Sequence, residues 1–272
     1  MNPLYVSDLD GTLLRSDETL SSFTAETIHG LIEKGMLFSY ATARSFVTAS
    51  KVTKGLGARI PVIVYNGTMV LDSADGSVLL SHFYSKEEKE EILHCLLGNH
   101  IYPIVYAYID GVEKFSYVEC CVSPEMQTFL KSRSGDIRGN PVSSADQLFQ
   151  GDAFYFSCID KADKLESAYG LLRDRHRCLY QKDVYSRSQW LEVLPRGASK
   201  SNAAAQLKKL LGADFLVAFG DGENDLDLFA IADEAYAVEN AAEILKMRAT
   251  AVIPCNDVDG VANWLAQNYK GM

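Results

Sequence analysis

Residues 6–14 read VSDLDGTLL and place two carboxylates two positions apart at the end of a strand-forming run. Leu4, Tyr5 and Val6 supply the strand character, while Asp8, Asp10 and Gly11 stand where a sheet should stop. Asp10-Gly11 alone reads as a polar turn with a glycine bend. Three further stretches carry polar residues in comparable places: YATAR with Thr42 and Arg44, Ser199-Lys200 ahead of a helix, and FGDGEND with Asp221, Asn224 and Asp225. Singly, Thr42 is a β-branched strand residue, Lys200 a solvated charge, and GDGEND a turn with an N-cap. Together, acids, a lysine and turn backbone N–H groups are the parts with which an acidic protein holds phosphate through a metal ion.

The elements that must position these residues follow an α/β rhythm. YVSD is a strand, SSFTAETIHGLIEKG a helix, LFSYAT a second strand, SFVTASKVTKGLG a helix and PVIVYN a third strand. MVLD and VLLSHF then form a hairpin turning at Asp75-Gly76. The βαβαβ order predicts a parallel sheet with right-handed crossovers. From Ser199 the rhythm resumes, with helices at SKSNAAAQLKKLLG, ENDLDLFAIA, NAAEILKMRA and DVDGVANWLAQNY and strands at FLVAFGD, AYAV and AVIP. Between the two parts, residues 83–187 read as a separate α+β module. It opens with the Ser85/Glu88 capping box, and RCLYQKDV and WLEVLP are expected as strands near its end. Chemistry in open parallel sheets gathers outside the carboxyl ends of the strands, where the four polar stretches fall.

Composition limits the partners. The chain has 272 residues, 47% hydrophobic, with a net charge of −10, which argues against nucleic acid or an acidic membrane surface. Six cysteines show no C-x-x-C pair and no zinc spacing. Cys120 and Cys121 fall in strand-like sequence, so they are expected to point to opposite faces. Free thiols, no signal-like N-terminus and no long apolar run predict a soluble, cytoplasmic protein. GASKS lacks the glycines of a P-loop, and GDGEND lacks the third glycine of a dinucleotide site.

The ordered set DxDGT, Thr42, Lys200 and GDxxND resembles the haloacid dehalogenase superfamily of phosphotransferases. Asn66-Gly67, PRGASKSNA and NAAEILKMRA…DGVANWL are similar to its Cof-type, or IIB, branch. The resemblance implies a Rossmann-like α/β core at 1–82 and 188–272, interrupted at 83–187 by a C2-type α+β cap that sets specificity. It implies a Mg²⁺-dependent phosphatase acting on a small phosphorylated metabolite, such as a sugar phosphate, through an aspartyl-phosphate. Asp8 would be the nucleophile and Asp10 the acid and base, a role typically worth about 10²–10⁴-fold. Asp8, the Asp10 carbonyl and Asp221 would hold the metal, with Asp225 orienting the metal, its water or Lys200. Lys200, Thr42, Asn224 and the backbone N–H groups of Leu9 and Ala43 would bind the phosphoryl oxygens. Arg44 and Arg187 are candidate leaving-group contacts. Ala43 and Glu239 depart from the glycines that many relatives carry, without removing a catalytic group. The same parts would also serve a phosphomutase or a non-catalytic phosphate-binding regulator. A monomer or weak homo-oligomer is expected.

Overall fold

The computed structural model describes residues 2–183 and 185–269. The chain divides into two compact units, Met1–Ser81 with Ala198–Met272, and His82–Gly197. The first unit begins with β1 (Pro3–Ser7), α1 (Ser22–Glu33), β2 (Leu37–Tyr40) and α2 (Phe46–Val52), then β3 (Val62–Val64), β4 (Met69–Leu71) and β5 (Val78–Ser81). The second contains α3 (Lys86–Gly98), β6 (Ile104–Ile109), β7 (Val112–Val118), α4 (Pro124–Ser132) and β8 (Gly139–Val142). It continues with β9 (Asp152–Ile159), α5 (Ala162–Leu172), β10 (Arg177–Lys182) and β11 (Gln189–Leu194). The first unit resumes with α6 (Lys200–Leu210), β12 (Phe215–Gly220), α7 (Leu226–Ile231), β13 (Glu234–Val238), α8 (Glu243–Lys246), β14 (Ala251–Ile253) and α9 (Gly260–Asn268).

The first unit is built on a parallel sheet in the order β14-β13-β12-β1-β2. β1 is interior, and Leu4 and Val6 are fully buried, as expected of a parallel strand covered on both faces. Ser7 is in register with Phe219 on one side and Tyr40 on the other. That register brings Asp8, Asp221 and the Ala41–Arg44 segment to one edge of the sheet. The third strand departs from the expected parallel order. β3 pairs antiparallel with β4, which pairs with β5, and a single parallel bridge, Ala41 to Ile63, ties β3 to β2. Positive φ at Tyr65, Asn66 and Gly67 turns the chain straight back, so β3 directs its hydrogen bonds to β4. The helix expected over 240–249 contracts to the four residues of α8.

The second unit has a six-stranded sheet in the order β10-β11-β9-β6-β7-β8. α3 and α5 bury Ile92, Leu96, Leu165 and Leu172 with Val105, Phe156 and Leu191. The capping box that starts α3 forms: the Glu88 N–H donates to Ser85 Oγ at 3.2 Å, and the Ser85 N–H to Glu88 Oε2 at 2.9 Å. Two sequence expectations change here, and one strand appears that the sequence did not suggest. β11 pairs with β10 and β9, so the unit runs ten residues beyond the expected boundary at 187, to Gly197. β8, with Gly139, Asn140 and Pro141, has poor strand propensity, and it forms only as an edge strand, where proline is tolerated. Cys120 and Cys121 do not lie on a strand, because β7 stops at Val118 and Glu119–Cys121 tighten into a 3₁₀ turn. The period-two alternation is lost there, and the two Sγ atoms lie 3.7 Å apart. β10 ends at Lys182; Val184, expected on that strand, lies outside the described residues. Among the described residues no helix is long and apolar enough to cross a membrane.

Candidate active site

Lys200 is the first residue of α6, a helix whose start is fixed by Ser199 Oγ accepting from the Asn202 N–H at 2.9 Å. Its ammonium is 1% exposed and donates to Asp8 Oδ1 at 2.8 Å and Asp225 Oδ1 at 2.7 Å. The second oxygen of Asp225 accepts from the Asp221 and Gly222 N–H groups, both at 3.1 Å. Asp221 accepts from the Thr12 hydroxyl at 2.9 Å. Asp8, Asp221 and Asp225 each offer a carboxylate oxygen, all within 4.8 Å of one another.

Burial pushes Asp8 well above the usual carboxylate range; Lys200 pulls it back, while Asp225, Asp221 and Asp10 push it further up. Asp221 is raised to about 7, by burial first and then by Asp225, with Thr12 opposing. Burial alone would lower Lys200, but Asp225 and Asp8 more than offset that and hold it above its ordinary value. One ammonium facing three carboxylates leaves excess negative charge in a dry site. The donor set is all oxygen, so the residues fit a hard divalent cation. Asp225 already meets donors on both oxygens, which leaves Asp8 and Asp221 as the side chains to face the ion.

The second strand end joins the first through Arg44. Its Nε donates to both Asp10 oxygens, at 3.0 and 2.9 Å, and Nη2 reaches Asp10 Oδ1 at 2.5 Å and Glu18 Oε2 at 2.7 Å. This guanidinium is thus engaged within the first unit, on the carboxylate expected to move protons. Arg187 sits in the second unit at a turn with φ 60°. Thr42 is fully buried and its Oγ1 accepts from the Arg44 N–H at 3.1 Å, so its own proton is left to donate. Asn224 lies in the 3₁₀ turn Glu223–Asp225 before α7, rather than at the start of that helix, and its Nδ2 donates to Asn66 Oδ1 at 3.1 Å. The Leu9 carbonyl accepts from the N–H groups of Leu13 and Leu14 at 3.0 and 2.8 Å, curling the DGT loop; Ala43 is half-buried beside Thr42.

The sequence model of the haloacid dehalogenase-like hydrolase family matches residues 5–265. The chain is a haloacid dehalogenase-like hydrolase. Among its curated relatives, the Bacillus subtilis 5-amino-6-(5-phospho-D-ribitylamino)uracil phosphatase YwtE is 30% identical over 97% of both chains. A second Bacillus subtilis phosphatase of the same named activity, YitU, is 23% identical over 98% of this chain and 97% of its own. The same fold occurs in a haloacid dehalogenase-like hydrolase from Bacteroides thetaiotaomicron, with a TM-score of 0.81 at 22% identity, covering 99% of this chain and 100% of that one.

Three residues that shape the hydrolase site, Thr12, Asn240 and Asn256, were not singled out individually from the sequence. Thr12 is the threonine of DGT itself. Asn240 Nδ2 donates to the Gly11 carbonyl at 2.7 Å, and Asn256 Nδ2 to the Leu14 carbonyl at 2.8 Å, so the loop after Asp8 is tied to residues some 230 positions later. Both asparagines stand in or beside the quoted NAAE and DVDG segments, but nothing in their own type marks a tether. Gly11, at φ +77°, leaves room for Asp221: an added Cβ would lie 2.4 Å from Asp221 Oδ2. Gly67, at φ +87°, presses against the start of α6, where a Cβ would meet the Ser199 carbonyl oxygen at 2.0 Å and the Lys200 nitrogen at 2.7 Å. Gly67→Ala should therefore destabilise the hydrolase by roughly 2–4 kcal/mol and displace Lys200. Gly30→Ala, inside α1 with open space around it, should instead stabilise by about 0.5–1 kcal/mol. Urea unfolding of both variants tests the contrast, and equal effects would contradict it.

Proposed function

We propose that this hydrolase is a Mg²⁺-dependent phosphatase that cleaves small phosphomonoesters through an aspartyl-phosphate on Asp8. The observation that carries the reading is the buried Lys200 ammonium held between Asp8 and Asp225, with Asp221 alongside. That lysine aims Asp8 and gives the transferring phosphoryl group a fixed positive charge. Asp8 attacks phosphorus, and Asp10 gives a proton to the leaving alkoxide and later takes one from water. Thr42 and Asn224 donate to phosphoryl oxygens, joined by the N–H groups of Leu9 and Ala43. Asp8, Asp221 and the Asp10 carbonyl would hold Mg²⁺, which supplies charge neutralisation between nucleophile and phosphate. The named activity of the Bacillus subtilis relatives supports phosphorylated sugars and sugar alcohols as the substrate class. Free thiols at all six cysteines support a cytoplasmic setting. The test is phosphate release from a panel of phosphomonoesters, including 5-amino-6-(5-phospho-D-ribitylamino)uracil, with Mg²⁺ or with EDTA. Release that needs the metal supports the reading; no release from any ester by folded, metal-loaded protein counts against it.

Metal binding should be strongly pH-dependent. Asp221 lies at about 7 in the folded chain against an ordinary 3.8, so folding takes up a proton between those values. In the metal-free protein this group's contribution to stability falls as pH rises from about 4 to 7, then levels off. A divalent cation has the opposite preference, because it needs the ionised carboxylate. Mg²⁺ at about a hundredfold excess over Kd at pH 8 should add about 2.7 kcal/mol, and the same concentration near pH 5.5 much less. Calorimetric melting at the two pH values checks this; equal Tm shifts would refute the Asp221 assignment.

A further inference from the structure

The second unit carries a pair of neighbouring thiols that the phosphatase reading does not use. Cys120 and Cys121 are consecutive, and on a strand their side chains would diverge. In the 3₁₀ turn after β7 they converge, with Sγ atoms 3.7 Å apart. Cys120 is exposed, giving reagents access. Cys121 is half-buried, packed against the hydrophobic cluster beneath α3 and α5, with the Tyr102 hydroxyl beside its sulfur. One sulfur is thus anchored and the other open.

Two sulfurs on one trivalent, pyramidal thiophilic centre, with bonds of about 2.3 Å and an angle of about 95–100° between them, stand about 3.4–3.5 Å apart. A direct disulfide would need them at about 2.05 Å. The observed 3.7 Å is far nearer the first spacing, and reaching it takes a shift of about 0.2–0.3 Å. We propose that Cys120 and Cys121 form a vicinal dithiol site that chelates a thiophilic centre of the trivalent-arsenical class through both sulfurs. With an aryl arsenic(III) oxide, two S–H bonds break, two As–S bonds form, and the oxide oxygen leaves as one water with the two thiol protons. Arsenic stays trivalent, so no oxidant or reductant enters.

Cys95, Cys158 and Cys178 also lie near one another in this unit, so what should distinguish the 120/121 pair is ring closure together with the exposed sulfur of Cys120. Once one sulfur has bound, the second acts at a high effective concentration, worth about 10²–10⁴-fold over a single contact. Cys158 is buried, and Cys95, Cys178 and Cys255 are part-buried.

The experiment treats the native 272-residue chain with phenylarsine oxide and reads adducts by native mass spectrometry. One adduct per chain is expected, retained in excess glutathione and released by ethanedithiol. Proteolysis should locate it within residues 115–131, which contain Cys120 and Cys121 and no other cysteine. Cys120→Ser, a change at an exposed position, should weaken retention by at least about 100-fold. Cys121→Ser should do the same, and its circular dichroism and Tm report whether the unit still folds. An adduct mapped elsewhere, one that glutathione strips, or one kept by Cys120→Ser would overturn the proposal, as would no adduct on the folded chain.

Discussion

Asp8→Asn should lower phosphate release by on the order of 10⁴-fold or more, and it should make the metal-free protein more stable. If Asp8 is the nucleophile proposed above, the first effect follows from removing the carboxylate charge that Lys200 orients. The second follows from the electrostatics. Asp8 is buried beside Asp221 and Asp225 with a single lysine to balance the three. Asp10, itself paired with Arg44, adds a further repulsion, and burial is the largest force pushing the Asp8 pKa up. Asparagine keeps the shape and can still accept from Lys200, but it removes a desolvated charge and three repulsions. A gain on the order of 1 kcal/mol is expected without divalent cation, and it should shrink when Mg²⁺ is added to both proteins. Initial rates and urea unfolding with and without EDTA measure the two effects. A variant that is less stable than wild type in EDTA would show that Asp8 is not the strained carboxylate described here. Undiminished turnover would remove it as nucleophile.

Lys200→Met should act in the opposite direction on stability. The ammonium bonds two carboxylates that are themselves almost fully buried, and methionine leaves both without that donor. Breaking such a set from one side costs about 3–5 kcal/mol, far more than the intact set contributes relative to an apolar replacement. Turnover should fall by roughly 10³-fold or more as Asp8 loses its orientation and the phosphoryl group its fixed charge. Adding Asp225→Asn to Lys200→Met should recover part of the lost stability, because one uncompensated charge disappears, yet restore no activity. A loss below about 1 kcal/mol for the single variant would mean that the carboxylates find other partners.

The contrast between these variants also explains what the sequence made legible. Asp8, Lys200, Asp221 and Asp225 stand at or beside strand ends of an α/β pattern, and a parallel sheet brings such ends together whatever the intervening length. Their convergence was therefore readable from order alone. Arg44's grip on Asp10 was not, since a long guanidinium on a loop can reach several neighbours and only three-dimensional placement selects one. Asn240 and Asn256 were hidden for a related reason: each acts on a carbonyl, and any residue supplies one. The third strand keeps a parallel bridge from Ile63 to Ala41, but its main ladder was not readable, because VIV has the composition of a buried strand in either sheet and the left-handed backbone from Tyr65 to Gly67 sends that ladder to β4. Cys120 and Cys121 follow a run with good strand character, and the point where alternation ends carries no glycine or proline to announce it.

The sheet order has a consequence for how the protein is made. β1 lies between β2 and β12, and β12 begins at Phe215, some 210 residues after β1. At about 5–20 residues per second, a ribosome takes roughly 10–40 s to deliver that partner. During that interval the nascent chain can pair β1 with β2 on one side only, while the compact unit from His82 to Gly197 emerges whole. An apolar strand edge is exposed for as long as that takes, and such an edge is a template for pairing with neighbouring nascent chains. Synonymous codon changes that slow translation between the end of β11 and β12 should therefore lower the yield of native enzyme more than equal slowing placed after β14.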